Sequence, residues 1–115
     1  MASSSLGKPV KELKLLDVGC GTGNYLDLLK QKVGECHGLE FNEGMLSQSM
    51  AKHDGDSRVT LREGSVLEMG CFADQEFDFV IMTQVLHHLT PDTHMQALNE
   101  ISRVLRTKGA FWIST

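Results

Sequence analysis

The stretch Leu15–Gly23, L-L-D-V-G-C-G-T-G, decides how this chain folds. Its first half is apolar, as is typical of a strand buried on both faces of a parallel sheet. Its second half has a glycine at every other position, and a helix-like run, Asn24–Val33, follows. Glycines lack a Cβ atom, so they tolerate positive φ and let a ligand come close to the backbone. A strand, a glycine loop and a helix in this order predict the start of a nucleotide-binding βαβ unit.

The spacing of the glycines argues against a dinucleotide loop. The dinucleotide fingerprint G-x-G-x-x-G needs a glycine at position 24, where this chain has Asn. Glu40 ends the predicted second strand, 17 positions after Gly23. An acidic residue there suits the ribose hydroxyls of an adenosine, because a carboxylate offers only hydrogen-bond acceptors. A nicotinamide-dependent oxidoreductase remains an alternative, and Asn24 argues against it.

Strands and helices alternate along the rest of the chain. Residues 1–12 are predicted to be a flexible lead, and residues 13–115 to be one domain. Strands are predicted at Leu13–Val18, Glu35–Glu40, Arg58–Arg62, Phe77–Met82 and Ala110–Thr115. Helices are predicted over Asn24–Val33, from Asn42 to near His53, and from Thr90-Pro91 to Gly109, where the glycine is expected to stop the helix. Right-handed crossovers then predict an α/β fold with a doubly wound parallel sheet.

The helices carry apolar residues that we expect to face the core. In the first helix these are Tyr25, Leu28 and Leu29, and in the second they are Met45, Leu46 and Met50.

Length and composition predict one globular domain and exclude several partners. The chain has 115 residues, 41% hydrophobic and 23% charged, with a net charge of −4. Its basic residues are scattered, so we expect no nucleic-acid partner. We expect no membrane span, signal peptide or metal site, and a cytoplasmic location, because no apolar run is long enough and the three cysteines are odd in number and widely spaced.

Four segments in matching order and spacing resemble the class I S-adenosylmethionine-dependent methyltransferases. Their positions are 17–23 (motif I), 38–46 (G-L-E-F-N-E-G-M-L, the segment after motif I), 77–89 (F-D-F-V, then V-L-H-H-L) and 103–109 (R-V-L-R-T-K-G). The resemblance covers about residues 14–115. It implies strand order 3-2-1-4-5 and S-adenosylmethionine bound at the switch point between strands 1 and 4. It also implies that the strands 6 and 7 usual in the family are lacking, so the chain resembles a family member truncated after strand 5.

The resemblance implies which residues hold the cofactor. Phe41 and Met45 match positions that flank the adenine. Ser65 stands where the family commonly has an Asp that accepts the adenine amino group, and the N–H of Val66 is placed to donate to a ring nitrogen. The implied set is Asp17, Gly19, Cys20, Gly21, Gly23, Tyr25, Glu40, Phe41, Met45, Ser65, Val66, Thr83 and Gln84.

Two of these residues have open roles. Asp17 is expected either to contact the cofactor or to accept hydrogen bonds from loop N–H groups and so order the glycine turn. Cys20 is expected to be a small apolar filler rather than a reactive thiol.

Methyl transfer asks the protein mostly for positioning and exclusion of water, so no obligatory catalytic side chain is implied. His87 and His88 are candidates for a general base because they follow strand 4, and packing in a helical turn is the alternative. The predicted function is methyl transfer to a small-molecule acceptor. The alternative is a cofactor-binding module without independent catalysis.

The last predicted strand ends in an uncharged run, Phe111-Trp112-Ile113, at an expected sheet edge. Exposed edges of this kind pair readily with another chain, so we expect a homo-oligomer through this strand.

Overall fold

Five parallel strands form one sheet in the order β3-β2-β1-β4-β5. A computed structural model of the chain describes residues 7–83, 85 and 89–114. The strands are β1 Lys14–Val18, β2 Glu35–Glu40, β3 Val59–Glu63, β4 Phe77–Thr83 and β5 Leu105–Ser114; the helices are α1 Asn24–Leu29, α2 Glu43–Lys52 and α3 His94–Val104. This confirms the predicted α/β fold and its strand order.

The three central strands, β2, β1 and β4, are buried on both faces because they carry apolar residues at successive positions. On one face Leu16 and Val18 join a cluster that includes Ile101 of α3. On the other face Leu15 packs in a smaller cluster with Leu26 of α1. Asp17 follows the same alternation and therefore lies on the side of the smaller cluster.

The predicted apolar faces of the first two helices were partly wrong. In α1 the buried residue is Leu26, whereas Tyr25 and Leu28 are 45% and 65% exposed. In α2 Leu46 is buried, but Met45 and Met50 are about half exposed. Leu26 and Leu46 fill the space between these helices and the sheet, so their apolar neighbours face outward.

Two predicted helix ends were also wrong. The first helix stops at Leu29 rather than Val33. The third stops at Val104 rather than Gly109, and β5 begins at once at Leu105. Leu105 pairs with Phe77 of β4. This long-range strand pairing overrides the local preference for helix at these residues.

Gly109 therefore has a different role from the predicted helix stop. The register of β4 and β5 shifts between Phe77 and Phe79. Gly109 therefore lies inside β5, beside β4. A Cβ atom there would lie 2.7 Å from the carbonyl oxygen of Asp78, so the close approach of the two backbones requires glycine.

The start of the third helix is a turn later than predicted. Thr90 precedes a single 3-10 turn, Pro91–Thr93, and α3 begins only at His94. Proline still marks the start of the helical segment, since its fixed φ suits a first turn. The longest helix among the described residues has 11 residues. No helix in this part of the chain is both long enough and apolar enough to cross a membrane.

At the amino ends of the strands, a buried carboxylate joins three parts of the chain. Asp78 accepts the backbone N–H of Lys14 at 2.9 Å, which links β4 to β1. It also forms ion pairs of 3.0 Å with Lys8 and with Arg106 of β5. Residues 10–12 form a 3-10 turn just before β1. The Lys8 ion pair fastens this end of the chain to the sheet.

Replacing Asp78 by Asn should destabilise the fold by about 2 kcal/mol, because the change removes a buried charge that two cations and a backbone N–H share. Asp74→Asn is the matched control. Asp74 pairs with Arg103 at 2.8 Å, but its side chain is 77% exposed. The control should therefore cost less than about 1 kcal/mol. Urea unfolding checks both values, and equal costs would contradict the role given to Asp78.

Candidate functional site

The glycine loop between β1 and α1 lies at the carboxyl edge of the sheet. Gly19, Gly21 and Gly23 have φ values of 74°, 57° and 88°, a left-handed region that favours glycine. The N–H groups of Gly19 and Cys20 donate to the carbonyl oxygen of Leu39 in β2 at 2.7 and 3.1 Å. The loop thus turns sharply away from the strand and is tied to the end of the neighbouring strand.

Side chains from elsewhere in the chain pack directly under this loop. A Cβ atom at Gly19 would clash with Val85, and one at Gly23 would clash with Ser49 and His53 of the second helix region. At Gly21 an added Cβ would meet only the end of the Met45 side chain, at 3.2 Å. Two of the glycines are therefore needed for packing, and Gly21 has the most open position.

Glu40 links the loop to the start of α2. Its Oε1 accepts the N–H of Gly21 at 2.7 Å, and its Oε2 accepts the N–H of Asn42 at 2.9 Å. Asn42 in turn caps α2, since its Oδ1 accepts the N–H of Met45 at 2.9 Å. Each carboxylate oxygen has two lone pairs, so Glu40 keeps acceptor capacity for further donors such as hydroxyls.

Asp17 is fully buried beside this arrangement. It lies in register between Gly38 of β2 and Ile81 of β4. In the described part of the chain, neither of its carboxyl oxygens has a hydrogen-bond partner. Burial, and then the nearby charge of Glu40, raise the pKa of Asp17 to about 7. Of the two roles left open by the sequence, loop ordering by side-chain hydrogen bonds is not seen here, because Leu39 and Glu40 accept those N–H groups.

Cys20 is an apolar filler, as predicted. Only 7% of it is exposed, and it packs in the smaller cluster with Leu26. Burial and the carboxyls of Asp17 and Glu40 raise the pKa of its thiol to about 12. A thiol that stays protonated at neutral pH is a poor nucleophile.

Apolar side chains stand open at the same edge. Phe41, just after Glu40, is 76% exposed, and Met45 and Tyr25 are 40% and 45% exposed. The N–H of Gly64 donates to the backbone oxygen of Glu40 at 3.1 Å, which brings Ser65 close to the end of β2. The structure therefore gathers these predicted residues around one edge.

The remaining predicted residues differ in what the structure says of them. The Oγ of Ser65 accepts the N–H of Leu67 at 3.1 Å, so it already takes part in a turn. Val66 is buried in the larger cluster, and Thr83 is the half-buried last residue of β4. Gln84, His87 and His88 lie outside the described residues. Within the described residues, no group of three or more His, Cys, Asp or Glu side chains is placed to hold a metal.

Sequence reasoning missed three contributors to the site. Asn42 was predicted only as the start of the second helix, yet its N–H also donates to Glu40. Ser49 and His53 support the loop from below, and His53 Nδ1 lies 3.0 Å from the carbonyl oxygen of Ser49. The small residue at position 49, one turn after Met45 of α2, was the available signal.

The family is settled by sequence comparison. A profile described as a methyltransferase domain matches residues 16–113, which is most of the chain. The chain belongs to this methyltransferase domain family. The demethylmenaquinone methyltransferase of Bacillus velezensis is 39% identical over 106 residues, covering 87% of this chain and 44% of that protein. The Staphylococcus aureus protein of the same name is 37% identical over 102 residues, covering 86% and 41%.

Solved structures agree with the family. YcgJ of Bacillus subtilis matches with a TM-score of 0.81 at 26% identity, covering 91% of this chain and 44% of that one. PH0226 of Pyrococcus horikoshii has a TM-score of 0.81 at 30% identity, covering 88% and 48%. This methyltransferase-family chain thus spans less than half the length of the curated relatives and solved structures that it matches here.

Gly21→Val should abolish or strongly weaken the binding of S-adenosylhomocysteine that is expected at this loop. A β-branched residue is strained at positive φ, and its side chain needs the space in front of the loop, so we expect a loss of about tenfold or more. Gly55→Val is the matched control. Gly55 has φ of 75° but open space around its Cβ position. Both variants should lose comparable stability, and calorimetry should show weaker binding only for the first. Equal affinities would place the site elsewhere.

Proposed function

We propose that this domain binds S-adenosylmethionine at the carboxyl ends of β1, β2 and β4 and serves methyl transfer to a small-molecule acceptor. The observation that carries the proposal is the contact of Glu40 with the N–H of Gly21, 2.7 Å long. It places an acceptor with spare lone pairs beside an open glycine turn. In βαβ nucleotide sites this is where the ribose hydroxyls lie.

The other residues at this edge suit the remaining parts of the cofactor. The exposed apolar side chains of Phe41 and Met45 offer surfaces for the flat adenine ring. Ser65 and Val66 follow β3 at the same edge, where the resemblance puts the adenine amino group. The carboxyl oxygens of Asp17, which have no hydrogen-bond partner among the described residues, suit the positively charged methionine end. The proposed set is completed by the loop residues Gly19, Cys20 and Gly23 and by Tyr25, Thr83 and Gln84.

The bound cofactor would supply a methyl group that its sulfonium makes electrophilic. The residues of this chain then bind the cofactor, orient it and keep water from it, and orientation alone accounts for much of the rate gain in such reactions. His87 and His88 stay candidates for a base where an acceptor must first lose a proton. Demethylmenaquinone, named for the relatives above, is the first acceptor to screen.

A cofactor-binding module without independent catalysis is the second candidate. The match covers only 44% and 41% of the two relatives, so the activity in their names belongs to chains more than twice as long as this one. This difference in length favours the second candidate. Binding is common to both candidates, and only acceptor screening separates them. We further infer a reducing, cytoplasmic setting from the free thiols of Cys20, Cys36 and Cys71.

Calorimetric titration with S-adenosylmethionine and S-adenosylhomocysteine tests the proposed function, and NAD serves as the ligand control. We expect micromolar binding of the first two and none of NAD. Glu40→Ala should weaken binding by about tenfold or more, because the N–H groups of Gly21 and Asn42 and the bound ligand all lose the carboxylate that accepts their hydrogen bonds. Glu63→Ala is the matched control, since Glu63 is exposed at the end of β3 in register with Glu40. Its affinity should stay within about twofold of the parent. Binding of NAD instead would contradict the proposal.

We also propose that the chain forms a homodimer through β5, which lies at the edge of the sheet. Trp112 and Ile113 are 51% and 37% exposed there, in the uncharged run Phe111-Trp112-Ile113. Sedimentation should show a dimer at micromolar concentration, and Trp112→Lys should give a monomer because a charge opposes edge pairing. Met95→Lys, at a 64% exposed position of α3, is the control and should remain dimeric. A monomeric parent chain would contradict the proposal.

A further inference from the structure

Asp17 is an unusual buried group because nothing in the described structure compensates its charge. It is fully buried, and both carboxyl oxygens lack a partner in the described part of the chain. An ionised carboxylate without partners is costly in such a place, so a proton is the simplest compensation. Asp17 lies one residue before Val18, which ends β1 and leads into the glycine loop.

The groups that face Asp17 reinforce this tendency. From β2, Glu40 contributes a second negative charge, and Cys36 contributes a thiol whose pKa burial raises to about 11. From the loop, Cys20 is a neutral thiol at physiological pH. From β4, the register neighbour is the apolar Ile81. Among the described residues, Glu40 is therefore the charged group that acts on Asp17, and its negative charge opposes ionisation.

We propose that Asp17 is a proton-coupled switch in this site: it holds a proton in the ligand-free protein and releases it when the positively charged cofactor binds. The inference rests on the proposed function, since it needs a cationic ligand at this edge. The sulfonium and ammonium groups give S-adenosylmethionine two positive charges against one carboxylate. A nearby cation favours the ionised carboxylate, so binding and proton release are linked.

The linkage fixes the direction of the pH dependence. Burial raises the pKa of Asp17 to about 7 in the ligand-free protein, and a bound cation lowers it. Below pH 7 binding must displace a proton, and above pH 7 it need not. Affinity should therefore rise about tenfold from pH 6 to pH 8 and then level off.

Calorimetric titration with S-adenosylmethionine at pH 6 and pH 8, in buffers of different ionisation enthalpy, counts the protons released on binding. The ligand's own amino group can also exchange a proton, so the readout is the difference between the parent chain and Asp17→Asn with the same ligand. We expect the parent to release close to one more proton than the variant at pH 6 and close to none at pH 8. Asp54→Asn, at an exposed position on the turn after α2, is the control and should behave as the parent.

A second measurement needs no ligand. An acid whose pKa is raised by folding binds more protons folded than unfolded between about pH 4 and pH 7, so stability falls as pH rises through that range. The Tm of the parent should fall between pH 5 and pH 8 more than that of Asp17→Asn. This arm keeps the proposal testable if the variant binds too weakly for calorimetry.

The outcomes separate the two proposals. If the cofactor does not bind the parent chain at either pH, the proposed function fails, and the Tm comparison alone judges whether Asp17 holds a proton. If the cofactor binds with equal proton release in parent and variant, the switch is overturned while the proposed function stands. Proton release that disappears only in Asp17→Asn supports both.

Discussion

The candidate site depends on the hydrogen bonds that the carboxylate of Glu40 accepts. The carboxylate accepts the N–H of Gly21 with one oxygen and the N–H of Asn42 with the other, at 2.7 and 2.9 Å. Hydrogen bonds to an ionised acceptor are the stronger kind, and together they fix the glycine turn against the start of α2. The strand, the loop and the helix therefore meet at one side chain. Because that side chain keeps free lone pairs, the group that orders the loop is also able to bind a ligand.

The two ends of the sheet treat a buried aspartate in opposite ways. At the amino ends Asp78 is shared by Lys8, Arg106 and the N–H of Lys14. At the carboxyl ends Asp17 has no recorded partner among the described residues and lies near a second carboxylate. The first arrangement stabilises the fold, and the second costs stability unless a proton or a cation is present. Such a cost is typical of a ligand site, and its place agrees with the rule that parallel sheets bind ligands at their carboxyl ends.

The sequence predicted the sheet well because its strands are short apolar runs separated by clear turn signals. The strand order came from resemblance rather than from periodicity, and the structure confirms it. Helix faces and ends were harder. Leu26 rather than Tyr25 faces the core of α1, since local spacing does not reveal which side the sheet covers. Gly109 looked like a helix stop, yet the pairing of Leu105 with Phe77 begins the strand earlier. That pairing is long-range and leaves no local signal.

Part of the candidate site was also predictable, because the sequence placed the glycine turn and Glu40 at one edge of the sheet, and the structure joins them by a hydrogen bond. What could not be predicted was the partner of each polar atom. The sequence left Asp17 with two possible roles, and only the positions of Leu39 and Glu40 show which acceptors take the loop N–H groups. The packing of Ser49 and His53 beneath the loop likewise depends on where α2 lies against it.

Ligand binding at the glycine loop and the end of β2 is tested most directly by amide NMR spectra of the chain titrated with S-adenosylhomocysteine. We expect the amide signals of Gly19, Gly21 and Asn42 to shift in proportion to occupancy, while those of Lys14 and Gly109 at the opposite edge stay in place. Saturable shifts confined to the amino ends of the strands, with the loop signals unmoved, would contradict it.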